Sequence, residues 1–126
     1  MPRRIATVLC VLLLLALFVF PEYRLRITCT ELEQCAQQAA ADVLNENWDA
    51  ASTQLLRMLS VYEQEHAFLH SLLSHSQIES LERGMHGVAY LIQVEDQPQT
   101  LLELAGLIVH ARYLKNIECL HLFTLL

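Results

Sequence analysis

Apolar side chains follow two patterns along this chain, one continuous and one periodic. Residues 5–20 form an unbroken run in which Thr7 is the one residue that is not apolar. Beyond residue 30, apolar positions recur every three or four residues, which is the spacing of one helix face and not the alternation of a strand. The sequence therefore predicts an all-α protein with an N-terminal transmembrane helix (residues 1–26) and a small antiparallel bundle of about four helices (residues 27–126).

The periodic part divides into four predicted helices, each with a recognisable start. Thr30 with Glu33 fits a capping box, Asn47 precedes the second apolar stripe, and Asp96 precedes the fourth, where Pro98 fits a first helical turn. The connections between these helices are short, which favours antiparallel packing of consecutive helices. The approximate predicted bounds are residues 30–45, 47–73, 78–92 and 98–117.

The apolar run predicts a membrane span through residues 5–20. Sixteen helical residues extend about 24 Å, so spanning a core of about 30 Å needs Met1 and Tyr23 near the interfaces or a thinned bilayer. A cleaved signal peptide has the same charged start and apolar run. No small-x-small pair follows the run, which favours an uncleaved signal-anchor. Two arginines stand on each side, so the amino terminus and Glu22 alone favour an N-inside orientation.

Composition and charge narrow the class of protein. The chain has 126 residues, of which 54% are apolar and 17% charged, and its net charge is −6. These values exclude a disordered chain, two independent domains and a binder of the nucleic-acid backbone. The charge is unevenly divided, because residues 1–26 carry four arginines against one glutamate, whereas residues 27–126 carry four basic against thirteen acidic side chains. We therefore expect a basic anchor joined to an acidic domain.

Catalytic chemistry has no recognisable motif in this sequence. The chain lacks a Gly-x-Ser-x-Gly elbow and a Cys-x-x-Cys pair. We therefore expect no enzymatic activity and no cofactor. Three cysteines lie outside the apolar run, and buried thiols are the favoured interpretation. A disulfide of Cys119 with Cys35 or Cys29 is the alternative if the domain lies in an oxidising compartment.

Histidine and glutamate spacing provides two candidate metal sites. Two Glu-x-x-His units put ligands on one helix face, but antiparallel pairing separates them by about 18 Å along the bundle, so they cannot share a dinuclear site. The same pairing places His66, Glu82 or His86, and His110 at one level. It places His75, Glu79, Glu118 and His121 at another. Imidazole and carboxylate suit zinc or iron, and solvated histidines without a metal are the alternative.

One segment resembles a known family. His75-Ser76-Gln77-Ile78-Glu79-Ser80-Leu81-Glu82 is similar to the H-x-x-[IL]-[DE]-x-[IL]-E stretch of a bacterial membrane-anchored family, domain of unknown function number 4363. Residues 47–51, 101–105 and 118–125 resemble further motifs of that family in the same order. Thr124 and His121 depart from its pattern, since the family tends to have Asn and Ser there, and Gly84 and Gly87 loosen the third predicted helix.

The resemblance implies a single-pass protein with a helical extracytoplasmic domain in a bacterium of the Gram-positive type. It implies no chemistry, because the family has none assigned. It does direct attention to His75, Glu79 and Glu82, whose spacing puts them on one helix face as a candidate polar cluster. Bracing of a helix junction is the alternative role for His75 and Glu79.

Two functional hypotheses follow from the sequence. The first is a membrane-tethered helical module that binds another membrane or envelope protein, through a bundle face or through the apolar tail (residues 120–126). That tail either folds back over the bundle or meets lipid or a partner. Residues 47–51 also resemble a tetratricopeptide helix, although the chain is short of three repeats. The second hypothesis is a metal-binding or metal-sensing bundle that uses the histidine and glutamate clusters.

Overall fold

The computed structural model describes the backbone of residues 2–125 and the side chains of residues 2–21 and 23–116. Five helices account for nearly all of it, and no strand occurs in this part of the chain. The predicted all-α class is therefore confirmed. The helices are α1 (Pro2–Leu44), α2 (Trp48–Gln64), α3 (His66–Leu72), α4 (His75–Gln93) and α5 (Gln97–Leu125).

Helix α1 joins the apolar run to the first helix of the bundle without a break, over 43 residues. The predicted start of a separate helix near Thr30 is wrong. Its hydroxyl donates to the Arg26 carbonyl at 2.7 Å instead of capping a helix N-terminus, and Thr28 does the same to Arg24 at 2.9 Å. Pro21 lies inside α1, where its missing N–H costs one helical hydrogen bond without ending the helix.

The two halves of α1 have opposite surroundings. Residues 2–20 are all exposed. No residue in the 18-residue apolar stretch of this helix is buried in the protein. This segment is long and apolar enough to span a membrane. From Leu25 onward one face becomes buried at intervals of three and four residues, as a bundle helix requires. The buried apolar positions of this half are Leu25, Cys29, Leu32, Cys35, Ala36, Ala39 and Val43.

The second half of α1 forms a four-helix bundle with α2, α4 and α5. Helix α1 packs against α2 and α5, and α4 packs against the same two helices. The end of the bundle next to the apolar run, here the proximal end, holds the α2–α3–α4 connection, because Arg24 contacts Glu65 and Phe68. At the distal end, the Gln97 side chain donates to the Val43 carbonyl at 3.1 Å.

The second predicted helix is divided in the structure. Residues 47–73 were expected to form one helix, but Glu65 has φ −100° and ψ 8° and separates α2 from α3. The break is local, because the Glu65 N–H still donates to Val61 and the Leu69 N–H donates to Glu65. Glu65 forms an ion pair with Arg24 at this break.

The predicted helix starts at Asn47 and Asp96 agree with the structure, whereas α4 begins at His75, before the predicted residue 78. The Asn47 side chain accepts from the Ala50 N–H, and the Asp96 carboxylate accepts from the Gln99 N–H at 3.4 Å. Ser74 and Gln77 form a reciprocal capping box at the start of α4. These caps satisfy N–H groups that the first helical turn leaves without partners. The predicted turn before Pro98 is thereby confirmed.

Cysteine and tail predictions are resolved in part. Cys35 is a buried thiol, and burial raises its pKa, which makes it a core residue of low reactivity. Helix α5 continues to Leu125, but the side chains of residues 117–126 lie outside the described residues. The alternative disulfide of Cys119 and the packing of the apolar tail are therefore not tested.

Candidate functional site

Helices α3 and α4 bring two histidines and a glutamate together at the proximal end. Nitrogen atoms of His66 and His70 and a carboxylate oxygen of Glu82 all lie within 4.8 Å of one another. The two histidines are one helical turn apart on α3, so they share a face, and their ring centroids are 4.1 Å apart. Glu82 approaches them from the antiparallel helix α4. We call this group the His66–His70–Glu82 cluster.

Tyr62 fixes the orientation of the glutamate in this cluster. Its hydroxyl donates to Glu82 Oε1 at 2.5 Å, and its ring meets His66 edge-on with centroids 5.6 Å apart. Burial, followed by the hydrogen bond and the charge of Glu82, raises the pKa of Tyr62 far above its usual range. The phenol therefore stays protonated and serves as a permanent donor to one carboxylate oxygen.

The cluster borders a surface hollow between α2, α3 and α4. The hollow has a volume of about 410 Å³, which is room for an ion with bound water. Its wall combines apolar groups with imidazole and carboxylate donors, a set that suits a divalent transition metal. The lining residues are Leu59, Tyr62, Glu63, His66, Glu82, Met85 and His86.

The predicted polar cluster of His75, Glu79 and Glu82 has its members in different surroundings. His75 is exposed at the first residue of α4. Glu79 is exposed and pairs with Arg83 at 3.1 Å, an i, i+4 ion pair. Glu82 is half-buried and bound by Tyr62. The two carboxylates thus have separate partners, and of these three residues only Glu82 belongs to the His66–His70–Glu82 cluster.

Some of the residues expected at one axial level lie close together in the structure. His66 and Glu82 come together as the antiparallel register predicts, and His86 lines the same hollow. The site of His75, Glu79, Glu118 and His121 stays a prediction, since the side chains of Glu118 and His121 lie outside the described residues.

Sequence reasoning missed His70. Axial level relates residues on neighbouring helices, whereas His66 and His70 lie on successive turns of the same helix. The sequence does contain a signal for His70, which is the interval of four residues between Tyr62, His66 and His70. This spacing continues one helix face across the break at Glu65.

A buried carboxylate also joins α1 to α5. Glu33 is 9% exposed, and its two oxygens accept from Arg112 Nε at 2.6 Å and Lys115 Nζ at 2.8 Å. The hydrogen bonds from Lys115 and Arg112 lower the pKa of Glu33. This carboxylate therefore stays ionised, and its two cationic partners give it a structural role.

The outer face of α5 carries an exposed apolar stripe. Leu102, Val109 and Tyr113 are 65%, 64% and 55% exposed, and the small residues Ala105 and Gly106 lie between them. The opposite face of the same helix supplies buried core residues, so the stripe is not needed for the bundle's own packing. We call these five positions the α5 stripe.

Comparison with known proteins identifies a family and no closer relative. No curated protein and no solved structure matches the chain. A family model described as Domain of unknown function (DUF4363) matches residues 19–124, which covers the second half of α1 and the rest of the bundle. The chain therefore belongs to the DUF4363 family.

Proposed function

We propose that this protein is a membrane-tethered module without enzymatic activity that binds another membrane or envelope protein through the α5 stripe. The exposed Leu102, Val109 and Tyr113 carry the proposal. Contiguous exposed apolar residues on a small domain are typical of interaction surfaces. The exposed Leu56 of α2 differs, because the exposed residues about one turn to either side of it, Thr53 and Ser60, are polar.

The apolar run supplies the tether in this proposal. Residues 5–20 would cross the bilayer as an uncleaved signal-anchor, with the amino terminus inside and the bundle on the extracytoplasmic side. Support comes from the continuity of α1, since 43 helical residues extend about 65 Å. A helix in place of a flexible linker holds the bundle in a fixed orientation to the span, which favours a partner that is itself fixed at the membrane.

Site-specific crosslinking tests this function. A photoreactive amino acid at Val109 should crosslink one partner in cells, whereas the same group at Leu56, which is equally exposed, should not. Val109→Glu and Leu102→Glu should abolish crosslinking from Tyr113, and Leu56→Glu should leave it unchanged. Because all three positions are exposed, thermal unfolding should confirm that the variants fold.

Equal crosslinking from Leu56 and Val109 would contradict the proposal, as would full crosslinking in the Val109→Glu variant. The membrane part is tested separately by extraction. A chain retained in membranes after carbonate washing, at the full length of the precursor, supports an uncleaved anchor.

A further inference from the structure

We propose that the His66–His70–Glu82 cluster binds one divalent transition-metal cation of the zinc class. Two imidazole nitrogens and a carboxylate oxygen form a common donor set for zinc. Their mutual distances, within 4.8 Å, need to shorten to about 3.3 Å for tetrahedral ligands at zinc bond lengths of about 2.0 Å. Since His66 and His70 are exposed, side-chain rotation can close this gap without moving the helices.

The hydrogen bond from Tyr62 supports a metal site over a chance grouping. Metal-ligating carboxylates are commonly held by a second residue that fixes their orientation. The Tyr62 hydroxyl donates to Glu82 Oε1, which leaves the other oxygen available to a cation. Tyr62 itself is 5% exposed and cannot be displaced readily by solvent.

The charge and space around the cluster also favour a cation. Glu63 lines the same hollow as Glu82, which adds a second carboxylate near the site. Arg24, a basic group at the same end of the bundle, is engaged by Glu65 and Phe68. The hollow leaves the fourth coordination position to water or to His86, which also lines it.

A bound cation would connect α3 to α4 across their short junction. Helix α3 has seven residues and contributes a single fully buried side chain, Leu69, within the described part of the bundle. Few buried contacts make a segment easy to open locally. Because the ion binds the folded arrangement of ligands and not the unfolded chain, it should raise the unfolding temperature and slow amide exchange in α3.

Direct titration with metal tests the site. The full chain in detergent micelles, purified with a tag that contains no histidine and treated with a chelator, is titrated with Co²⁺ by visible absorption and with Zn²⁺ by calorimetry. We expect one equivalent bound and a higher unfolding temperature with Zn²⁺. His66→Gln and His70→Gln should each lower the affinity at least tenfold, and Tyr62→Phe by about tenfold.

His75→Gln separates this site from the predicted site of His75, Glu79, Glu118 and His121, since His75 is exposed at the same end of the bundle and lies outside the His66–His70–Glu82 cluster. It should bind both metals as the wild type does. Absence of stoichiometric binding would overturn the proposal, and so would loss of binding in His75→Gln with retention in His66→Gln and His70→Gln. Val109→Glu, on the α5 stripe, should keep its metal affinity, so failure of the interaction proposal and failure of the metal proposal can be told apart.

Discussion

Arg24 binds Glu65 at the point where the apolar run enters the bundle. Its Nε and Nη2 atoms both lie 2.8 Å from Glu65 Oε2, and its guanidinium carbon lies 4.3 Å above the centroid of the Phe68 ring. One side chain of α1 thus holds both the break between α2 and α3 and the first turn of α3. This contact joins α1 to α3, and two members of the His66–His70–Glu82 cluster, His66 and His70, lie on α3.

Replacement of Arg24 should therefore loosen α3 before the rest of the bundle. The side chains of Arg24 and Glu65 are 42% and 25% exposed, so solvent weakens the ion pair. We expect Arg24→Gln to lower the free energy of unfolding by about 1 kcal/mol, the combined order of a partly exposed pair and a cation–π contact. Hydrogen exchange should show the largest loss of protection within α3.

Arg83→Gln is the control for this prediction. Its ion pair with Glu79 is of similar length, at 3.1 Å, but the two side chains are 75% and 56% exposed. Loss of this pair should therefore lower the free energy of unfolding by less than about 0.5 kcal/mol. Equal effects of the two substitutions, or uniform loss of protection in Arg24→Gln, would show that Arg24 has no special role at the proximal end.

The ionised Glu33 predicts an acid-sensitive contact between α1 and α5. Its pKa is lowered in the folded protein, so its contribution is complete above the carboxyl pKa of the unfolded chain and is lost as pH falls through the folded pKa. At neutral pH, Glu33→Gln should lower the free energy of unfolding by about 2 kcal/mol, the order of charged hydrogen bonds lost from a buried acceptor.

Urea unfolding of wild type and Glu33→Gln at several pH values checks this. The difference between the two proteins should be constant near neutrality and should shrink below about pH 4, where the unfolded glutamate becomes protonated. A difference that stays constant down to pH 2 would mean that the charge of Glu33 contributes nothing to stability.

Sequence reasoning succeeded where local signals decide the structure. The Asp96 cap and the start of the last helix near Pro98 follow from residues within one turn of each other. It failed at Thr30 because a hydroxyl residue at a candidate cap position can equally donate to the carbonyl one turn back, as Thr30 does. Only the continuous packing of α1 distinguishes the two outcomes.

Contacts between distant segments of the chain were harder to predict from the sequence. Glu33 and Lys115 are 82 residues apart, and no local pattern links an acidic residue of one helix to a basic residue of another. The pairing of His66 with Glu82 was predictable because the two helices share a short connection, which fixes their register. The contact of Glu65 with Arg24 at the break was not, since the two residues are 41 residues apart.

His110 should be replaceable by an apolar residue with a gain in stability. Its Nε2 atom is buried and has no hydrogen-bond partner among the described residues. A buried polar atom without a partner costs about 1–3 kcal/mol, so His110→Leu should raise the free energy of unfolding by about 1 kcal/mol. His75→Leu, at an exposed position, should change it little in urea unfolding at pH 7.5. A loss of stability in His110→Leu would indicate that the ring nitrogen does have a partner.

The three glycines should respond differently to alanine because only one of them lies at a close helix contact. A Cβ at Gly84 would be 2.6 Å from Leu107 Cδ2, whereas a Cβ at Gly87 or Gly106 would meet nothing within 4 Å. Replacement of glycine by alanine within a helix stabilises the helix by about 1 kcal/mol. We therefore expect Gly87→Ala and Gly106→Ala to raise the free energy of unfolding by up to about that amount.

At Gly84 the same gain is opposed by a clash between α4 and α5. Leu107 is 6% exposed, so its side chain cannot swing into solvent, and overpacking of a core costs about 1–3 kcal/mol. Gly84→Ala should therefore be less stable than both other alanine variants and no more stable than the wild type. Urea unfolding of the three variants in parallel checks the order. An equal gain at all three positions would show that α4 and α5 can move apart at Leu107. The distance between these two helices would then not depend on the missing Cβ of Gly84.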